Sequence, residues 1–179
     1  MNKRKISIAL KTLKLLEKNS WHKISFTKIV NEKDHVYFKN KQELLININR
    51  YFDYLLKKNL TDLEDSSSKD MIFEIIMARL DILNKYRNSI LNLIKFFSSN
   101  PQYLIKLTPS VLDSVIFMSS LANIKIDGIK GGIRVKSIFL LYIFILYSWY
   151  GDDSQSLEKT MTNLDKYLTN LDKILNLSK

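Results

Sequence analysis

The 179-residue chain has no cysteine, which excludes a disulfide framework, a thiolate nucleophile and any Cys-based zinc site. Glycine and proline are nearly as scarce, four Gly and two Pro, all beyond residue 100. Strands need turns, and a chain so poor in turn residues and so rich in Leu, Ile and Lys is predicted to be all-α. Histidine is limited to His22 and His35, and neither stands in an HExxH pattern or beside paired carboxylates. The common hydrolytic and metal-ligand constellations are therefore missing, and the expectation is a protein that is not an enzyme and holds no metal or cofactor.

Long uncharged runs are also missing. The longest, Ser137 to Gly151, has 15 residues, short of the roughly 18 to 20 that a membrane span needs. It reads as a buried core helix. Near the N-terminus, Lys11, Lys14, Glu17 and Lys18 break up the apolar stretch that a secretory leader would keep whole. The expected location is the cytoplasm, with a peripheral association with the inner membrane as the alternative.

Negative charge is scarce in one place only. Residues 1 to 60 hold 14 Lys and Arg against 5 Asp and Glu, whereas residues 61 to 179 hold 14 against 13, within a net charge of +10. A small basic head (1–60) and a larger, nearly neutral helical-bundle body (61–179) are therefore expected. A concentrated positive field attracts phosphate polyanions, either nonspecific DNA or an acidic membrane surface; a lysine-rich solubilising surface carries the same charge.

What is present is helical periodicity. Ile6, Ala9, Leu10, Leu13 and Leu16 form one apolar stripe of a first helix. Ser25 is placed to cap a short helix from Phe26 to about Glu32, and Asn40 with Glu43 makes a capping-box start for a long one. The polar stretch Glu64 to Asp70 reads as a break, with Ser67 or Ser68 capping the next helix. Helices are predicted over Met71 to Tyr86 and Ser89 to Phe97. Another should start at Pro109, behind Thr108, and the last two run from about Ile133 to Tyr150 and Ser154 to Leu175. Gly128, Gly131 and Gly132 would make the most flexible stretch.

In the last predicted helix Leu157, Met161, Leu164, Leu168 and Leu171 step by 4, 3, 4 and 3, a heptad seam. Its partner is apolar almost all round and needs cover on several sides, so the seam is expected at a homodimer interface; burial inside one body is the other reading. Phe96, Phe97, Phe117, Met118, Phe139, Tyr142 and Tyr147 are large enough to line an apolar ligand cavity in the body; packed core is the other reading of the same residues.

Two segments carry family resemblances. Ser25 to Val30, with His35, Tyr37, Phe38, Lys41 and Leu44, resembles the DNA-binding head of the TetR family, which implies a TetR-like fold. In this chain Ile29 and His35 are only six residues apart. That is roughly half the family's separation, and the part lost is the front of the recognition helix, which reads bases. Lys28, Lys33, Lys39 and Lys41 remain as candidate phosphate contacts, and Asp34 would face phosphate with the wrong sign.

The second segment, Trp149, Asp152, Ser154, Thr160, Met161, Leu164, Asp165 and Leu168, is similar to the end of the coenzyme-Q biosynthesis accessory family (Coq-nine), a lipid-binding TetR-fold group. That resemblance implies an apolar lipid or quinone ligand and a quinone-biosynthesis hydroxylase as partner. The expected function is thus a non-enzymatic, isoprenoid-quinone-binding accessory protein of ubiquinone biosynthesis. The alternative is a TetR-type DNA-binding transcriptional regulator controlled by a small apolar ligand.

Overall fold

The computed structural model describes residues 1–60 and 66–177. Part of the expected break at Glu64 to Asp70 therefore lies outside the described residues. Within them, eight α-helices and two 3₁₀ turns follow one another, with no strand. They are α1 (Lys3–Lys18), α2 (Phe26–Ile29), α3 (Lys41–Asn59), α4 (Ser68–Lys85), α5 (Arg87–Ser99), α6 (Pro101–Leu121), α7 (Gly128–Tyr150) and α8 (Glu158–Leu175). The 3₁₀ turns, Trp21–Lys23 and Glu32–Asp34, flank α2.

Contacts divide the chain into two units, but not at residue 60 alone. The first comprises Met1–Lys57 with Ile82–Val111, the second Lys58–Asp81 with Leu112–Lys179. The basic head thus folds together with α5 and the ends of α4 and α6. Charge could not show this, because the added segment is joined to the head by contacts between residues far apart in sequence.

In the first unit α1 packs on α5. Ile8, Ala9, Thr12, Leu13 and Leu16 are the buried residues of α1, so the buried stripe is rotated from the predicted one and Leu10 is exposed. Thr12 belongs to the stripe because its hydroxyl donates to the Ile8 carbonyl at 2.7 Å and leaves no unpaired polar group inside. Ser89 Oγ and Asn92 Nδ2 of α5 donate to the Leu13 and Leu16 carbonyls, each at 2.8 Å. These bonds fix the register of the pair while the apolar residues supply the burial.

The caps at Asn40 and Ser67 follow the expected chemistry. Asn40 Oδ1 accepts from the Glu43 amide at 3.1 Å, and Glu43 reaches back to accept from the Lys39 amide at 2.9 Å. Ser67 Oγ accepts from the Asp70 amide at 3.2 Å. Ser25, by contrast, makes no side-chain cap bond, and α2 is one turn long.

Pro109 departs from expectation. It lies inside α6, which begins at Pro101 instead. A proline at the first helical position suits either site, since the amide it lacks has no intrahelical partner there. The Asn100 turn favours the earlier start, with the Tyr103 amide donating to the Asn100 carbonyl at 3.1 Å. Pro109 then removes one interior helical bond, and Thr108 Oγ1 turns back to the Leu104 carbonyl at 3.1 Å. By length and composition α6 is long and apolar enough to cross a membrane; a tally of uncharged residues missed it because α6 contains Lys106 and Asp113.

In the second unit α7 and α8 pack together. The glycine stretch opens α7 instead of forming a loose linker. Gly128 has φ +68°, and a Cβ on Gly131 would lie 2.1 Å from the Ile126 carbonyl carbon. Only glycine allows α7 to start so close to the preceding backbone. The last helix begins at Glu158, later than expected, behind Leu157 at φ 53°. This left-handed conformation, rare for leucine, is held by a side chain that is fully buried.

Candidate functional site

The head's surface is built by the segment from Phe26 to Asn40. After the single turn of α2 the chain makes a 3₁₀ turn over Glu32–Asp34 and then turns through His35 to Tyr37. No helix of reading length occupies this position. The five residues between Ile29 and His35 are too few for a turn plus the front of a recognition helix.

Asp34 does not face outward. It is buried, and the Arg4 guanidinium grips it with both forks, Nε to Oδ1 and Nη2 to Oδ2, the latter at 2.7 Å. The hydrogen bond to Arg4 holds the Asp34 carboxyl below its usual range, against the opposing effect of burial. The acid that would have repelled phosphate is thus paired inside the protein. Behind it, Lys11 Nζ donates to the Ile29 carbonyl at 3.2 Å.

The four candidate lysines separate into two groups. Lys28, Lys33 and Lys39 are exposed. Lys41 turns inward: its ammonium donates to the Trp21 carbonyl and lies 4.5 Å from the centre of the Trp21 ring. Burial pulls its pKa down. With its charge engaged by a carbonyl and an aromatic face, Lys41 secures the turn before α2 and is not available to phosphate.

The paired aromatics also separate. Phe38 is buried, whereas Tyr37 is 40% exposed with Lys5 Nζ 5.7 Å from its ring centre. His35 is exposed, edge-on to Phe26 at 5.6 Å. Together with Arg4, Thr27, Val30, Asn31, Glu32, Lys33 and Asp34, the His35 and Tyr37 rings line an open cleft of about 1070 Å³. Sequence reasoning missed Arg4 and Asn31. Arg4 meets the cleft only through a contact spanning 30 residues, and no local pattern announces such a contact.

The seven candidate pocket residues divide between the two units. Phe96 and Phe97 belong to the first unit, where Phe96 packs 5.8 Å from Phe97 and 5.1 Å from Tyr103. Phe117, Met118, Phe139, Tyr142 and Tyr147 belong to the second. There Met118 and Tyr142 are buried, and Phe117 and Phe139 are half-buried. Arg79 Nε, also buried, donates to the Tyr142 hydroxyl at 2.9 Å. Tyr147 is 75% exposed and points away from the core.

The heptad seam is similarly redistributed. Leu157, Leu164 and Leu168 are fully buried, Leu171 is half-buried, and Met161 is exposed. The seam is consumed by packing within the unit, so it is not a free dimer surface. A stripe of exposed apolar side chains lies on α7, where Leu140 is 67% exposed and Ile143, Phe144 and Tyr147 stand on the same outer face. Phe144 meets Tyr167 of α8 edge-on at 4.7 Å.

The C-terminal motif residues Asp152, Ser154 and Thr160 form a connector. The buried Asp152 carboxylate accepts from the Ser154 amide and hydroxyl at 3.1 and 2.6 Å, and from the Thr160 amide and hydroxyl, both at 2.8 Å. Burial raises its pKa, but these four bonds outweigh burial and hold it at about 2.

No protein-family model matches the chain. No curated protein matches it either. Among solved structures, it is similar to the TetR transcriptional regulator from Nitrosomonas europaea ATCC 19718, with a TM-score of 0.74 and 18% identity over 96% of this chain and 99% of that one. The fold is therefore all-α and TetR-like.

Proposed function

We propose that the chain is a TetR-type regulator whose first unit grips the DNA backbone through exposed lysines without reading bases from a recognition helix. One observation carries this reading. The reading element is reduced to Phe26–Ile29 and a 3₁₀ turn, while Lys28, Lys33 and Lys39 remain exposed on the same segment. Similarity in fold to a TetR transcriptional regulator supports the regulatory half of the reading. Phosphate contacts give affinity that falls steeply with salt, whereas sequence preference needs side chains at base edges. The protein is taken to act in the cytoplasm and without enzymatic chemistry.

The test is selection from a pool of random duplexes, together with binding titrations at several salt concentrations. Weak, salt-dependent binding without a consensus is expected, and Lys33→Ala and Lys39→Ala should each reduce the salt slope by about 1. A palindromic consensus would reject the proposed absence of base reading, and no duplex or single-strand binding at low salt would reject the DNA role.

A homodimer formed by the outer face of α7 belongs to the same proposal. Leu140, Ile143, Phe144 and Tyr147 form a contiguous exposed apolar stripe, and a second copy of this face would cover it by twofold symmetry.

The C-terminal pattern from Trp149 to Leu168 supports a second reading, a TetR-fold accessory protein of ubiquinone biosynthesis. In that reading the body binds an isoprenoid lipid or quinone and works beside a hydroxylase. Mass spectrometry of small molecules that copurify with the chain separates the two: an isoprenoid quinone supports the second reading, and protein free of lipid rejects it.

A further inference from the structure

We infer that the open cleft of the first unit is a binding site for single-stranded nucleic acid, where an unstacked base lies on Tyr37. This inference deepens the proposed DNA-binding reading and rests on it. The cleft, of about 1070 Å³, opens broadly to solvent, whereas small-molecule pockets bury most of their ligand's surface. Such a shape suits a length of flexible chain better than one enclosed molecule.

Its lining has the chemistry of a base platform. The Tyr37 ring is 40% exposed, and the exposed His35 ring lies in the same lining. Every base has a flat π-face, so such rings hold bases regardless of sequence. The Asn31 side chain, also in the lining, offers both donors and an acceptor to a base edge. A duplex keeps its bases stacked and paired, so these groups could not reach their flat faces. Entry into the major groove would need a helix longer than the four residues of α2.

The lining itself is balanced, Arg4 and Lys33 against Glu32 and Asp34, and the excess positive charge that a phosphodiester strand would meet lies around it. Lys33 is in the lining, Lys5 stands over Tyr37, and the exposed Lys28 and Lys39 lie one and two residues from Thr27 and Tyr37. The acidic groups in the lining are Glu32 and Asp34, and Arg4 neutralises Asp34. Pairing of Asp34 with Arg4 both removes the opposing charge and holds the segment that carries Tyr37.

Fluorescence anisotropy with a labelled 20-nucleotide oligo-dT and a mixed-sequence 20-bp duplex at equal salt tests the inference. The single strand should bind at least tenfold more tightly. Tyr37→Ala should weaken single-strand binding about fivefold to tenfold, and Tyr37→Phe, which keeps the ring, should restore it. Duplex binding and the melting temperature should not change in either variant. Duplex binding equal to or tighter than single-strand binding, or equal losses on both substrates with Tyr37→Ala, would overturn the inference while leaving backbone binding intact. Binding to neither nucleic acid would overturn both.

Discussion

Asp152 shows how much one side chain can carry when four donors converge on it. Its carboxylate joins the end of α7 to the start of α8 through Ser154 and Thr160, and it is the charged form that those donors stabilise. Its pKa of about 2 in the folded protein lies below the ordinary 3.8. Such a group contributes stability above the unfolded value and loses it as pH falls through the folded one. The melting temperature should therefore drop as pH is lowered from about 4 toward 2. Asp152→Ala should remove that part of the acid response and destabilise the protein by about 1 to 3 kcal/mol at neutral pH. Equal pH dependence of melting in the variant and the parent protein would show that other carboxylates dominate. Asp34 adds in the same direction, since its pairing with Arg4 also depresses its pKa. At this scale the sequence was least legible. The C-terminal resemblance singled out Asp152, Ser154 and Thr160, but burial of Asp34 by Arg4 and capture of Lys41 by Trp21 depend on contacts spanning 30 and 20 residues.

Among the helices, legibility followed the range of the interactions. Caps are decided within four residues, and the Asn40–Glu43 and Ser67 caps could be recognised from spacing alone. The buried side of α1 is decided by α5, which no local stripe describes. The start of α7 was misjudged for a related reason: three glycines close together, Gly128, Gly131 and Gly132, suggest looseness, yet here Gly131 permits a tight approach. This yields a contrast between neighbours. Gly131→Ala would drive its Cβ into the Ile126 backbone and should cost about 1 to 3 kcal/mol. Gly132→Ala meets nothing within 4 Å and should stabilise the protein by about 0.4 to 1 kcal/mol, by restricting the unfolded chain. Thermal melts of the two variants should shift in opposite directions. Shifts of equal sign and size would mean that the close approach at Ile126 is relaxed at little cost.

For the whole molecule, the outer face of α7 and the inner seam of α8 make opposite demands on the same substitution. The pattern of leucines correctly marked a packed helix pair, but a heptad seam does not say whether the partner is in the same chain. Leu164 and Leu168 are fully buried against their own unit. Leu164→Glu should therefore place an unpaired carboxylate in the core and unfold the second unit, whether or not a dimer forms. Leu140 is 67% and Tyr147 75% exposed, so Leu140→Glu and Tyr147→Glu place charge where water already reaches in a single copy. If a second copy covers this face, these two variants should be folded monomers with helical content unchanged, while the parent protein is a dimer by light scattering at micromolar concentration. An α7 that packs against no second copy would give a monomeric parent and variants of the same mass. Measuring melting and mass on all three variants thus separates the seam that holds the unit together from the face that joins two units, and a monomeric parent protein would reject the dimer outright.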